Sequence, residues 1–366
     1  MKKIGIDARL INQTGVGRYV HNLLYYLPEN NELTFYVYLL KKEFNEISFN
    51  KKNFIKREAN FSWHSFSEQT GFLKTILADP LDLMHFTYFS YPILYQKKFV
   101  ATVHDLTPLI FKTGKASSKN MLIYKIKHFF FRQILSAQIK NSKALITPSK
   151  SVKKQILEYY GKGLEEKIFP IYEGIDYQLI KTKENISLKK RFPKPFFIYV
   201  GNFYPHKNVE NLLTAFTSIK SDAKLILLGP DDYFAKRMFQ SIKRMKQNQR
   251  ILVYNNPTRE DLIFFYKNAQ ALIHPSLSEG FGLPLIEATH FNCPIIASDI
   301  PVFNEILGSD FIKFNPYSVE DIRNKIEIFI EIPPKSRLTG RRRILERYSF
   351  EKMAAQTTKL YNDVLL

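Results

Sequence analysis

Short unbroken apolar runs alternate along this chain with longer stretches whose apolar positions recur every three or four residues. Lys3–Asp7, Phe35–Leu40, Leu83–Phe86, Phe99–Val103 and Ala144–Pro148 belong to the first kind. Runs that are apolar at successive positions have no face to offer water, so they predict strands buried on both sides. Gly17–Leu27 belongs to the second kind, with Val20, Leu23, Leu24 and Leu27 on one helical face. Met121–Lys140 and Ser151–Tyr160 predict two further helices. Strands alternating with helices point to a parallel sheet covered on both faces.

The pattern then restarts. A polar stretch, Lys181–Lys190, and the prolines Pro193 and Pro195 mark the break. Beyond it, Phe196–Gly201, Leu225–Gly229, Ala271–His274 and Pro294–Ser298 predict strands. Asn208–Ile219, Leu262–Asn268 and Pro284–His290 predict helices, Pro284 being well placed in a first turn. Arg341–Leu366 closes the chain as helix. The expected fold is α/β, with two doubly wound Rossmann-like units at 1–180 and 190–347, joined near residues 178–195. The two halves share an architecture without a clear sequence repeat. The last helix, about 348–366, is expected to pack back on the first unit. Sheets of this kind bind ligands at the carboxyl ends of their strands, so two of them predict chemistry in a cleft between the units.

Bulk composition narrows the class. The 366 residues suit two domains better than one. A 45% hydrophobic content supports sizeable cores. The single cysteine, Cys293, allows no disulfide framework, so a reducing cytosol is the expected compartment. Lys2 and Lys3 precede an apolar run that Asp7 and Arg9 break at once, so no signal-peptide core is expected, and no apolar run reaches membrane-spanning length. The net charge of +20 attracts polyanions: nucleic acid, anionic lipid or phosphorylated ligands. The competing reading of that charge is a general bias toward Lys and Phe.

The densest chemistry lies in Ser278-Glu279-Gly280-Phe281-Gly282-Leu283-Pro284-Leu285-Ile286-Glu287. It follows a predicted strand and opens a helix. Gly280 and Gly282 let the backbone turn tightly and a ligand approach it. The N–H groups of Leu283, Leu285 and Ile286 are expected to point out of the helix N-terminus as an anion site. Glu287, expected in the first helical turn, suits a diol such as a ribose, and Glu279 suits a second polyol such as a hexose. Carboxylates on both sides of a phosphate cradle make sense where hydroxyls on both sides must be held.

This segment resembles the Glu, seven residues, Glu signature of retaining GT-B glycosyltransferases of family 4. The resemblance extends over nearly the full chain. Tyr199-Val200-Gly201-Asn202-Phe203-Tyr204-Pro205-His206-Lys207-Asn208 is similar to the family's phosphate-binding turn, which implies a diphosphate contact for Lys207. Many members carry an arginine at the position of Asn202 or just before the lysine. Here Asn202 and His206 stand there, so the site leans on Lys207. Gly15-Val16-Gly17-Arg18-Tyr19 resembles the family's N-terminal glycine loop, which faces the donor; the alternative is a simple tight turn. It is not the dinucleotide fingerprint, because Val20 replaces the third glycine. His104, after the run Ala101–Val103, matches a histidine beside the transferred sugar. Asp105 either orients that imidazole or caps the turn. Thr147–Ser151 and Glu173–Asp176 resemble architectural stretches, with Ser149 and Glu173 expected to line the cleft.

The resemblance implies a nucleotide-sugar donor, GDP-mannose or a UDP-sugar, held by the second unit through Asn202, Lys207, Gly280, Phe281, Gly282, Leu283 and Glu287 and faced by Gly15 and Gly17 of the first. It implies a glycan or lipid-linked acceptor on the first unit, in polysaccharide or glycolipid biosynthesis. His104, Lys207 and Glu279 are the expected catalytic residues, acting with retention by front-side displacement. No Asp-x-Asp and no clustered His/Cys ligands occur, so no metal or other cofactor is expected. The alternatives are a phosphorylase, a nucleotide-sugar hydrolase or epimerase, or a non-catalytic sugar-nucleotide or lipid-binding protein. Nothing marks a phosphorylase's cofactor lysine.

One segment stands apart. Residues 111–143 hold Lys112, Lys115, Lys119, Lys125, Lys127, Arg132, Lys140 and Lys143 and no acidic residue, interleaved with Tyr124 and Phe129–Phe131. A basic helix with bulky aromatics reads as an element for an anionic membrane surface. The alternative turns the aromatics to the core and the lysines to water. No nucleic-acid-binding motif accompanies the charge, so nucleic acid is not an expected partner. The expected location is cytoplasmic, peripheral on the inner face of the membrane.

Overall fold

The structure, a computed structural model, describes residues 1–111, 121–245, 249–333 and 340–366. The chain forms two compact units, Met1–Glu173 with Phe350–Leu366, and Gly174–Ser349.

The first unit carries a sheet of β1 (Lys2–Asp7), β2 (Leu33–Leu39), β3 (Phe54–Glu58), β4 (Leu83–Phe86), β5 (Phe99–Thr102), β6 (Ala144–Thr147) and β7 (Ile168–Pro170). The order is β3-β2-β1-β4-β5-β6-β7, and every pairing is parallel. β2 is buried at every position, as its unbroken apolar run demands. The edge strand β3 reads Phe-Ile-Lys-Arg-Glu and escapes the apolar-run criterion, because an edge keeps charge to discourage further pairing.

The second unit carries β8 (Phe196–Val200), β9 (Lys224–Gly229), β10 (Ile251–Asn255), β11 (Leu272–His274), β12 (Ile295–Ser298) and β13 (Ile312–Phe314), in the order β10-β9-β8-β11-β12-β13, again all parallel. In each sheet the order reverses once, between β1 and β4 and between β8 and β11. At such a point neighbouring loops leave in opposite directions and open a crevice at the strands' carboxyl ends.

Two boundaries differ from the sequence reading. The units divide after Glu173 rather than at 180–190. The segment that follows is held by the second unit: the Asn185 N–H donates to the Glu260 carbonyl and its Nδ2 to Asp261 Oδ1. The C-terminal stretch is two helices, Arg341–Arg347 and Phe350–Leu365. Tyr348 interrupts it in extended backbone, its hydroxyl donating to the Glu305 carbonyl.

Some of the excess positive charge serves the fold. Lys51 Nζ donates to the carbonyls of Leu24, Tyr25 and Leu27 where the helix Thr14–Tyr26 ends. Lys56 does the same for Phe44 and Ile47, and Lys167 for Lys140 and Ser142. Each ammonium satisfies carbonyls that a helix end leaves open and meets its negative pole.

The basic helix, Met121–Asn141, matches neither sequence reading in full. Phe131, Ile134, Leu135 and Ile139 pack on the core, while Ile126, Phe129 and Phe130 are 49%, 58% and 59% exposed. Lys112, Lys115 and Lys119 lie outside the described residues. No described helix is long and apolar enough to cross a membrane.

Candidate active site

In the second unit, the two strands flanking the reversal deliver the chemistry. β8 runs into a turn in which Gly201 has φ +148°, a conformation that excludes most side chains. The Tyr199 hydroxyl donates to the Asn202 carbonyl and props this turn, and the Asn202 side chain takes the Tyr204 N–H at 3.5 Å. Pro205–Lys207 makes one tight turn and ends at Asn208, which is left-handed at φ +57°. Asn208 Nδ2 donates to the carbonyls of Pro275 and Pro316, and the Leu277 N–H donates to the His206 carbonyl. The loop after β8 is thereby tied to the loop after β11.

That tie brings together residues 72 positions apart. Lys207 Nζ lies 2.6 Å from Glu279 Oε1, both side chains being nearly buried. The same oxygen accepts from Ser276 Oγ at 2.8 Å and from His274 Nε2 at 3.0 Å. Burial alone would raise the Glu279 carboxyl, but the Lys207 charge and the His274 donor outweigh it and hold the group well below the usual carboxylate range. Burial pushes His274 down, toward the neutral imidazole. Among the described residues, no group bonds Glu279 Oε2. His274 and Ser276 were missed in the sequence; the available signal was two hydrogen-bond donors five and three residues before a carboxylate.

Several expectations change here. Gly282 takes φ +102° and turns the chain into the helix Leu283–His290, but the Leu285 N–H is spent on the Gly282 carbonyl and Pro284 has none to offer. Glu287 is the fifth residue of that helix rather than part of its first turn. It is 1% exposed, and its Oε2 accepts from the Tyr266 hydroxyl at 2.7 Å. Phe281 is buried with its ring edge-on to Tyr348, so its side chain anchors the loop. Gly280 is half-buried beside Glu279, and Leu283 begins the helix. Gly229, which closes β9, is a further requirement that was missed. A Cβ there would stand 2.5 Å from the Gly201 carbonyl oxygen and 2.6 Å from the Phe203 ring.

In the first unit, Gly15 and Gly17 fall in the first turn of the helix Thr14–Tyr26. A Cβ on Gly17 would stand 2.3 Å from the Ile11 carbonyl oxygen, so close backbone approach requires glycine there; Gly15 faces open space. His104 Nε2 donates to the Thr87 carbonyl at 3.0 Å, and Nδ1 lies 3.3 Å from Glu173 Oε1. The Tyr19 ring meets His104 edge-on at 4.9 Å. Asp105 caps the turn, accepting the Thr107 N–H at 2.7 Å, so Glu173 is the carboxylate that faces the imidazole. Ser149 is fully buried and caps the helix Lys150–Tyr160. Behind Tyr19, Thr102 Oγ1 bonds both the Tyr19 hydroxyl and His85 Nε2, and His85 Nδ1 bonds the Tyr361 hydroxyl at 2.6 Å. Among the described residues, no three His, Cys, Asp or Glu side chains cluster as a metal site.

The second unit thus offers a cation beside a carboxylate with one oxygen open: a partner for an anionic group next to an acceptor for a hydroxyl. Comparison with known proteins gives the chain's relatives. The Glycosyl transferases group 1 family matches residues 181–344, and Glycosyltransferase Family 4 matches residues 13–179. The O-antigen chain mannosyltransferase RfbU of Salmonella typhimurium is 30% identical over 273 residues, 70% of this chain and 71% of that one. Among solved structures, sucrose-phosphate synthase of Thermosynechococcus elongatus superposes with a TM-score of 0.78 at 18% identity, covering 100% of this chain and 99% of that one. HepE of Anabaena in complex with UDP-glucose gives 0.74 at 16% identity, covering 99% and 100%.

Proposed function

The chain belongs to the glycosyltransferases of group 1 and family 4, and from that membership we propose that it moves a hexose from a nucleotide-diphosphate sugar to a glycan or lipid-linked acceptor. The observation that carries this reading is the Lys207–Glu279 pair at the reversal point of the second sheet. Lys207 meets the negative charge that develops on the departing diphosphate, and the open oxygen of Glu279 accepts from a sugar hydroxyl. His104, held between the Thr87 carbonyl and Glu173, serves the transferred sugar.

The donor is GDP-mannose or a UDP-sugar. The likeness to RfbU favours mannose, and the UDP-glucose bound to HepE favours the uridine nucleotide. Transfer proceeds with retention by front-side displacement. The C–O bond to the leaving phosphate breaks as the acceptor oxygen attacks from the same face, and that phosphate takes the acceptor's proton. Lys207 supplies the positive charge for this step without a metal ion, and chelator should leave the rate unchanged. The setting is polysaccharide or glycolipid assembly at the cytoplasmic face of a membrane. Ile126, Phe129 and Phe130 are exposed on one helix together with Lys125 and Arg132, which fits an anionic lipid surface. Equal partitioning to neutral and anionic vesicles at low salt would remove that attachment.

The deciding experiment measures nucleoside-diphosphate release from GDP-mannose and UDP-hexoses with and without a lipid-linked glycan acceptor, and the anomeric configuration of the product. Acceptor-dependent release with retained configuration is expected. Release independent of acceptor would make the protein a hydrolase, and donor binding without turnover would make it a binding protein.

A further inference from the structure

We propose that His274 is the positioning residue for Glu279: it fastens one oxygen of that carboxylate so that the other stays presented to the sugar. The proposal rests on the reading of Glu279 as a donor contact.

His274 ends the short strand β11 and is 1% exposed. Its ring lies nearly parallel to that of Tyr199, with centroids 5.8 Å apart and planes 13° apart, and Phe303 packs against it at 5.5 Å. The imidazole is therefore locked in orientation before it makes any polar contact. Its Nε2 faces Glu279 Oε1 at 3.0 Å, and an ionised carboxylate oxygen can only accept, so Nε2 carries the proton. Nδ1 is buried with no hydrogen-bond partner among the described residues. A second proton there would add an unsatisfied buried N–H, so the site selects the neutral ring as a fixed donor.

Lys207 and Ser276 also bond Oε1, but neither is constrained in the same way. Lys207 has a long flexible stem, and a bound diphosphate would compete for its ammonium. The Ser276 hydroxyl can rotate. His274 is the donor that ligand binding leaves in place. Through Tyr199, whose hydroxyl props the Gly201–Asn202 turn, the same ring also packs against the residue that shapes the Lys207 loop.

The test pairs His274→Phe, which keeps a ring without a donor, with His274→Gln, which keeps a donor. In His274→Phe, kcat should fall at least tenfold with little change in donor KM. The acid limb of its pH–rate profile should move up, because Glu279 loses a donor that stabilises its charged form. Among the described residues, the charged and titratable groups facing Glu279 are Lys207, His274 and Tyr199, so the limb is read with Lys207 intact. His274→Gln should recover most of the kcat and the original limb. In the wild type, nitrogen NMR of labelled histidine should show a neutral Nε2–H tautomer from pH 6 to 8 that shifts in Glu279→Gln. Wild-type kcat in a folded His274→Phe overturns the proposal, as does His274→Gln as impaired as His274→Phe. An inactive wild type that still shows the Nε2–H tautomer and its shift removes the transferase reading and leaves the contact standing.

Discussion

Each unit carries a nearly buried ion cluster, and the two are built to opposite ends. Arg9 is flanked by Asp7 and Glu68, each within 2.7 Å of its guanidinium, and lies 3.7 Å from the centroid of the Phe72 ring. Its remaining nitrogen donates to the Phe61 carbonyl, and Glu68 takes further bonds from Ser90 Oγ and the His64 N–H. Asp7 also accepts the Arg9 N–H, so both carboxylates and the guanidinium are consumed within the protein. The Lys207–Glu279 cluster loads three donors onto one oxygen and leaves the other unbonded among the described residues. A closed cluster can only hold structure together. An open one has acceptor capacity left for a ligand.

Removing charge from the closed cluster should have the largest effect. Arg9→Met leaves two buried carboxylates without a countercharge, and should destabilise the protein by about 3–5 kcal/mol, read from urea unfolding. A loss near zero would mean the cluster is wetter than its burial indicates. Opening the second cluster should act on rate instead. Lys207→Ala or Glu279→Gln should lower transfer by about 10²–10³-fold, equivalent to about 2.7–4 kcal/mol of transition-state stabilisation. Both variants should remain folded, with a smaller loss of stability than Arg9→Met, because Glu279, or the glutamine in its place, keeps its bonds to His274 and Ser276. Full activity in either variant would dissolve the distinction between the clusters.

Acid should act more gently. Burial holds His64 down to about 4 and His85 down to about 3, against 6.5 for an ordinary histidine. The folded state therefore resists protons that the unfolded chain accepts from pH 6.5 downward. Stability should fall as pH drops from 6.5 toward 4, by up to about 1.4 kcal/mol per pH unit for each group. His64→Asn, which tolerates the left-handed backbone at φ +55°, should flatten that slope in pH-dependent unfolding. Glu279 adds a loss of the same sign only below its ordinary value of 4.5, because its carboxyl is held down in the fold. The smallest effect belongs to an uncharged closed network. Tyr361→Phe deletes the hydroxyl bonded to His85 and should cost about 1 kcal/mol by calorimetry, with transfer unchanged.

How much of this was legible beforehand follows from sequence distance and chemistry. The central strands were readable because burial on both faces forces apolar runs. The edge strands β3 and β13 were not, since an edge position tolerates charge within the strand, and β7 and β10, also at edges, were passed over although Ile168–Phe169 and Ile251–Tyr254 are apolar. Glu279, Gly282 and the turn between them were readable because glycine and carboxylate fall within one short segment. The surroundings of Glu287 were not: it stands fifth in its helix rather than in the first turn, and its Oε2 accepts from the Tyr266 hydroxyl.

By itself the sequence determined the two doubly wound units and the strand ends at which chemistry is expected, and it singled out Lys207, Glu279 and His104 as candidates. Those follow from local rules: apolar period, glycine at strained turns, charge beside them. Only the tertiary structure decided which side chain holds which. It set Glu173 rather than Asp105 against His104, joined Lys207 to Glu279 across 72 residues, and placed His274 behind that carboxylate. Hydrogen bonds act over about 3 Å, and nothing in the order of residues along a chain records which strands will lie side by side.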